Sequence, residues 1–389
     1  MKKRDDINHE AAISWYLSQK AARAGSPVNG TFELTGRCNF SCKMCYVHEQ
    51  ENSDEWKEKE LSVSEWLDIA KEAKQAGLLY LLLTGGEAMM REDFVELYEA
   101  LSQMGFRLVI NTNGSMLTSE IEHCFKKYPP ARVNVSIYGA SEETYENLCG
   151  RRAWRKVTDT VRKLISMGIS VRTTTVLTTY NCHDIEKIYE FDKSQTSLIE
   201  MTPYVFPPIR LKQGHSGENV ARLSAEEAGK YMVKRDYLLF DSREEFIEKG
   251  RRFLKTGTGC PYEIQHLGNA QGDESRCGAG RHSFWITWNG KMRPCGLMTY
   301  PEADVRKLGF DKAWKQIKDE VSKIRLPYEC KTCRHSQFCK ICAAICQSET
   351  GRFDQRPDYL CQMSESAKAA YAEAIKMLQG LEKKEEADV

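Results

Sequence analysis

Short apolar runs alternate with amphipathic stretches from Thr31 to about residue 203. The runs predict strands over residues 31–34, 78–83, 107–110, 132–137, 170–177 and 197–201. Between them the apolar positions fall at helical spacing. In one stretch Trp66, Ile69 and Ala73 recur on one face, from a start near Ser62 or Ser64 to a stop at Gly77. Others cover 92–105 and 154–168, with Ser or Thr ahead of the helices and Gly behind them as start and stop chemistry. Six βα units in order require a parallel sheet with right-handed crossovers, open or curled into a partial barrel. In such a sheet the active site lies at the carboxyl ends of the strands.

Beyond Tyr204 the pattern changes. A loop with Pro207 and Pro208 runs to about Gly217, and helical stretches follow over 224–240 and 244–254. From Cys260 the alternation is lost, apart from a β-hairpin predicted over 283–288 and 291–295, whose Asn289-Gly290 suits a tight type I′ turn. Amphipathic helices are expected over 10–24 and 365–384, and there is no internal repeat. The expected division is a helical segment (1–30), a core barrel (31–215), a helical linker (216–258), a cysteine-rich domain (259–363), and a terminal helix and tail (364–389).

Composition narrows the function classes. Of 389 residues 41% are apolar, enough for a packed core and against a disordered chain. The 56 basic and 55 acidic residues leave a net charge of +1, so there is no whole-chain footprint for nucleic acid or an anionic membrane. No apolar run approaches the ~20 residues that cross a bilayer, and the start, Met1-Lys-Lys-Arg, lacks a signal peptide's apolar stretch. A cytoplasmic protein is expected. Its 15 cysteines then point to metal or cluster binding rather than disulfides. Three fall between Cys38 and Cys45 and nine between Cys260 and Cys361, while Cys124, Cys149 and Cys182 stand alone as small buried hydrophobes.

Cys38-Asn-Phe-Ser-Cys42-Lys-Met-Cys45 follows the first strand directly. Three thiolates do not complete a structural zinc site, unless His48 were the fourth ligand, but they suit a 4Fe–4S cluster with one iron left open. This CxxxCxxC spacing resembles the radical S-adenosylmethionine (radical SAM) superfamily. Gly85-Gly86-Glu87 at the end of the second strand matches the family's GGE motif, Asn113 closes the third strand and Ser136 lies on the fourth. The resemblance implies a partial (β/α)6 TIM-like barrel in which Cys38, Cys42 and Cys45 hold the cluster. It further implies that Gly85, Gly86, Glu87, Asn113 and Ser136 surround S-adenosylmethionine, with Glu87 and nearby backbone holding its ammonium. The open iron binds that cofactor, and one electron splits it into methionine and a 5′-deoxyadenosyl radical that abstracts hydrogen from substrate.

The second cysteine group resembles the SPASM extension, which carries two auxiliary 4Fe–4S clusters. It reads Cys277, Cys295, Cys330-Lys-Thr-Cys333, Cys339, Cys342, Cys346 and Cys361, with Cys260 upstream. The family's CxxCx5Cx3C is broken because position 343 is Ala, and either Cys339 with Cys342 or Cys342 with Cys346 could fill the two roles. By analogy one cluster takes Cys277, Cys295, one of Cys342 or Cys346, and Cys260 or an open position. The other takes Cys330, Cys333, Cys339 (or Cys342) and Cys361. A pair of zinc ribbons is the alternative.

The resemblance implies oxidative modification of a peptide or protein, as crosslink, thioether or dehydrogenation, with electrons from an external donor of the flavodoxin or ferredoxin type and an anaerobic setting. A small-molecule dehydrogenase and a sulfatase-type maturase are the alternatives, the latter disfavoured because Gly296 follows Cys295 where an acidic residue acts as base. A zinc-binding interaction module is the non-enzymatic alternative. Only some thirty residues precede Thr31, so leader recognition is expected from a separate protein or not at all. Arg172, Tyr138, Tyr204, Arg210, His215 and Asp273 are candidate substrate contacts, none assigned as catalytic acid or base; the loop 268–276 is a cover or a connector.

Overall fold

The computed structural model describes residues 5–46, 54–209, 220–255, 277–336 and 338–387. Strands β1 (Asn29–Glu33), β2 (Tyr80–Thr84), β3 (Arg107–Thr112), β4 (Arg132–Ser136), β5 (Val171–Val176) and β6 (Ile199–Thr202) pair in parallel with their sequence neighbours. The sheet does not end at β1. Strand β7 (Ser283–Ile286), the first half of the expected hairpin, lies parallel beside β1, followed by antiparallel β8 (Lys291–Arg293) and β9 (Ala303–Asp304). The order β6-β5-β4-β3-β2-β1-β7-β8-β9 leaves β6 at one edge and β9 at the other, an unclosed partial barrel. The cysteine-rich region thus continues the barrel's own sheet.

The helices begin with α1 (Asp5–Ala24), α2 (Asp54–Lys59), α3 (Val63–Gln75), α4 (Phe94–Gln103), α5 (Ser119–Lys127), α6 (Glu142–Cys149), α7 (Trp154–Ser166) and α8 (Ile185–Gln195). Past the barrel come α9 (Ala225–Leu239), α10 (Arg243–Lys255), α11 (Val305–Leu308), α12 (Phe310–Val321), α13 (Ala343–Thr350) and α14 (Asp358–Ala387). Ser62 and Ser224 form full capping boxes with Glu65 and Glu227, fixing the starts of α3 and α9. By contrast α4 begins without a side-chain cap, so packing of its apolar face sets its position, while the first N–H groups of α7, at Trp154 and Arg155, donate to the Glu142 carboxylate of α6. Helix α14 starts seven residues earlier than the amphipathic pattern suggests, immediately after Pro357 and with Cys361 in its first turn. Its close fit on α9, where a Cβ at Gly229 would stand 2.6 Å from the Met363 carbonyl oxygen, accounts for the added turns.

Alternation along the strands separates two environments. Phe32, Leu81, Leu83, Leu108, Ile110, Val133 and Val135 face the helices and are buried. Phe32 packs on Trp66 of α3 with ring centroids 4.6 Å apart, a contact joining sheet to helix layer. On the other face Asn111, Asn134 and Ser136 are half-buried, and the Asn134 amide donates to Asn111 Oδ1 at 2.7 Å. The inner wall is therefore polar where the helix-facing wall is dry. No helix among the described residues is long and apolar enough to cross a membrane.

Candidate functional site

The cysteine loop, the Gly-Gly-Glu segment and Asn113 leave the carboxyl ends of three adjacent strands, and Ser136 ends the fourth. Tertiary structure binds the first three together. The Gly86 and Glu87 N–H groups donate to the carbonyls of Thr35 (2.8 Å) and Arg37 (2.9 Å), so the glycine segment runs against the chain entering the cysteine loop. A Cβ at Gly85 would come within 2.6 Å of the Thr35 carbonyl oxygen, and one at Gly86 within 2.3 Å of that of Arg37. Both glycines are required by this close passage of backbone.

Glu87, expected to meet a ligand ammonium, also holds strand ends together. Its carboxylate is wholly buried and accepts from the N–H groups of Asn113 (2.7 Å) and Met89 (3.2 Å) and from Thr112 Oγ1 (3.0 Å). Burial pushes it up to about 7, against the lowering effect of those donors. It ties the end of β3 to the end of β2. The Asn113 amide bridges to the cysteine loop, donating to Asn39 Oδ1 at 2.9 Å with Cys38 Sγ at 3.8 Å, while Ser115 donates to Asn113 and accepts from Asn39. A second brace lies behind the loop. Arg37 pairs with Glu60 (3.0 Å), Thr35 donates to Glu60, and buried Arg91 donates to the carbonyls of Leu34 and Leu61. Asn39, Ser115, Glu60 and Arg91 escape a reading of the sequence because each acts on residues distant along the chain.

The three loop thiols lie close to one another. Cys38, Cys42 and Cys45 are electrostatic neighbours, and burial, opposed by the Phe40 N–H, pushes Cys38 up to about 12. Such thiols ionise only against the positive charge of a metal centre. Three thiolates at a strand end suit a 4Fe–4S cluster, in which each would take a different iron.

The second cysteine group divides into two. Cys295 is raised to about 12 by burial and then by Cys277 and Cys342; Cys342 is raised to about 11 by burial, with Cys277 again beside it. Cys330, Cys333, Cys339 and Cys361 are neighbours of one another in the same way. Cys277, Cys330, Cys333, Cys339, Cys342 and Cys361 line a 1530 Å³ cavity reaching β6 and α9. Backbone N–H groups two or three residues on point at the sulfurs of Cys38, Cys295, Cys333 and Cys342, at 3.4–3.5 Å. Cys346, fully buried within α13, is raised by burial and then by Cys342, Cys330 and Cys339, so it stands beside both sets. No disulfide joins two described cysteines.

Of the polar candidates, Tyr138 is raised by burial and then by Cys42, and so stands beside the first loop. Arg172 pairs with Glu200 at 3.4 Å. Tyr204 donates to Glu349 of α13, which also pairs with Arg222. Cys260, His48, Arg210, His215, Asp273 and the 268–276 loop lie outside the described residues.

The family model of the Radical SAM superfamily matches residues 32–191, the span holding all four strand-end elements. The chain carries a radical SAM domain. Among curated relatives, a probable GTP 3′,8-cyclase of Saccharolobus islandicus is 30% identical over 197 residues, 49% of this chain and 63% of that protein; the chain thus spans less than two thirds of the cyclase's length. An AdoMet-dependent heme synthase of Methanosarcina barkeri is 24% identical over 87% of this chain and 97% of its own. Two solved structures share the fold of this chain. Streptococcus suis SuiB bound to S-adenosylmethionine has a TM-score of 0.61 at 15% identity, over 86% of this chain and 77% of SuiB. The structure of anSMEcpe with bound AdoMet has 0.62 at 15%, over 91% and 99%.

Proposed function

We propose that the chain is a radical SAM enzyme that cleaves S-adenosylmethionine reductively and oxidatively modifies a peptide or protein substrate. The observation carrying this reading is the convergence of Cys38, Cys42 and Cys45, the Gly85-Gly86 passage and the Asn113 bridge at the carboxyl ends of β1 to β3. Cys38, Cys42 and Cys45 would hold a 4Fe–4S cluster there, which when bound and reduced would supply the electron for cofactor cleavage. The chain's own residues hold three of its corners, brace them through Asn113 and Arg37, and leave the strand-end backbone around Gly85 and Gly86 for the cofactor's polar end. Ser136 flanks it, while Glu87 acts from behind by fixing Asn113. Cys277, Cys295 and Cys342 hold one auxiliary cluster of SPASM type, with Cys260 or an open position at its fourth corner. Cys330, Cys333, Cys339 and Cys361 hold the other, and Cys346 is the thiol left over. A flavodoxin- or ferredoxin-type protein supplies electrons.

The peptide class draws support from SuiB, solved with precursor peptide SuiA, and from anSMEcpe, solved with the Cp18Cys peptide. A small-molecule substrate is the second reading, favoured by the near full-length alignment with the heme synthase. Protein purified without oxygen should be brown, carry about twelve irons by the three-cluster count, and release 5′-deoxyadenosine with dithionite and S-adenosylmethionine. Cys38→Ala, Cys42→Ala and Cys45→Ala should each abolish that release. Surviving release would overturn the site, and a colourless zinc protein would overturn the enzyme. Stimulation of release by short peptides encoded beside the gene, against stimulation by porphyrin precursors, separates the two substrate classes.

A further inference from the structure

Charge is spread unevenly along the chain. Residues 322–340 carry Lys323, Arg325, Lys331, Arg334 and Lys340 against a single acid, Glu329, a net of +4; the whole chain is only +1, so the remainder is −3. All five cationic side chains are exposed. The stretch leaves the end of α12, where Arg325 donates to the Ser322 and Ile324 carbonyls, and enters the short turn that bears Cys330 and Cys333. Lys331, Arg334 and Lys340 line the cavity shared by Cys330, Cys333, Cys339 and Cys361, whose thiols are half-buried where Cys346 is enclosed. Among these cations stands Tyr328, 73% exposed, the most exposed aromatic side chain among the described residues. The Lys331 ammonium lies 4.6 Å from the centre of its ring.

We propose that this patch docks a small acidic one-electron carrier protein, with Tyr328 as the anchor and the five cations as the rim; this rests on the radical SAM reading above. An exposed aromatic ringed by Arg and Lys has the makeup of an interface hot spot. A cationic rim steers an acidic partner and gives the encounter a strong salt dependence. The place suits electron transfer because the cysteine set lies within the patch itself, Cys330 and Cys333 alternating with Lys331 and Arg334. One electron passes from the carrier to the cluster this set would hold, the carrier being oxidised and the cluster reduced, with no bond made or broken. The first cysteine loop is a poorer dock: substrate and cofactor meet at its strand ends, and a bound carrier would compete with both.

The test uses the full chain, purified without oxygen, and a bacterial flavodoxin of acidic isoelectric point, with affinity read by calorimetry at about 0.05 M and about 0.5 M salt. Lys331→Glu/Arg334→Glu and Tyr328→Ser should each weaken binding about tenfold or more at the lower salt, and parent binding should fade at the higher one. Stopped-flow oxidation of reduced flavodoxin at low carrier concentration should slow by the same factor. Lys126→Glu/Lys156→Glu makes the same charge change at exposed positions of α5 and α7 and should bind like the parent. Should Lys331→Glu/Arg334→Glu lose iron, Lys323→Glu/Arg325→Glu, outside the cysteine run, replaces it with the same expectation. Undiminished binding in Tyr328→Ser or in the charge-reversed patch would overturn the proposal. So would an equal loss in the α5 and α7 variant, no flavodoxin binding by the parent, or preferential binding of single-stranded DNA. A parent that cleaves S-adenosylmethionine with dithionite yet fails these tests loses only the docking site. A parent that binds flavodoxin at the patch yet never cleaves the cofactor loses the radical SAM reading instead.

Discussion

Removing the carboxylate of Glu349 tests how the cysteine-rich region is held to the barrel. Glu349 lies on α13, the helix that begins immediately after Cys342. It pairs with Arg222 ahead of α9 and accepts from Tyr204 just beyond β6; both partners of the ion pair are only 7% exposed. The Arg222 guanidinium also lies 3.3 Å from the centre of the Tyr359 ring on α14. Glu349→Ala therefore strips a buried guanidinium of its counter-charge, a change that costs ~3–5 kcal/mol where one member of a buried pair is lost. At about 1–2 °C per kcal/mol for a chain this long, the thermal midpoint should fall by roughly 3–10 °C. Because Cys342 caps the start of α13, about a third of the iron should be lost with it, by the three-cluster count. Release of 5′-deoxyadenosine, which belongs to Cys38, Cys42 and Cys45, should persist. Arg222→Met/Glu349→Met removes both charges and should recover most of the stability, since an apolar pair can replace a buried ion pair at little cost. Anaerobic thermal scans and iron assays on the three proteins decide it. An unchanged midpoint in Glu349→Ala, or a double variant as damaged as the single one, would refute the reasoning.

Asp192 of α8 is wholly buried, and burial lifts it from 3.8 to about 7, offset only in part by Thr173. Between those values the folded chain holds a proton that the unfolded chain has released, so this favourable contribution is lost as pH rises through that window. The gap of ~3 units sets an upper bound of ~4 kcal/mol. Asp192→Asn should therefore raise the thermal midpoint above pH 7, with the gain closing toward pH 4; a gain independent of pH would contradict it. Gly86→Ala places a methyl 2.3 Å from the Arg37 carbonyl oxygen and should abolish cofactor cleavage and cofactor-induced EPR changes while leaving the iron of the second cysteine region in place. A cleavage rate within threefold of the parent would show that the close passage can yield. Cys346→Ala should keep the full iron content and Cys342→Ala should lose roughly a third of it; the reverse outcome would exchange their roles.

The six parallel strands, the Ser62 and Ser224 helix starts and the three-cysteine loop were all legible in the sequence. Each depends on neighbours within a turn or a strand: alternation buries one face, a capping serine meets a glutamate three residues on, and ligand spacing is local. Tertiary structure decided what depends on distant partners. Nothing local in 283–293 says that the hairpin joins β1, because a strand's outer neighbour is chosen by which edge is left unpaired. The choice among Cys339, Cys342 and Cys346 was open in the sequence because all three fall within eight residues. In the fold Cys339 lies near Cys330 and Cys361, and Cys342 near Cys277 and Cys295, while Cys346, buried in α13, stands beside Cys342, Cys330 and Cys339. Glu87 also accepts from the end of β3, and the last carbonyls of α6, at Leu148 and Cys149, hold the backbone of the cysteine loop; both contacts join segments distant along the chain. Residue type and spacing fixed which chemistry the chain can hold; the long-range pairing of strand ends and helix ends fixed which side chains face it, because burial and hydrogen bonding are settled only when distant segments meet.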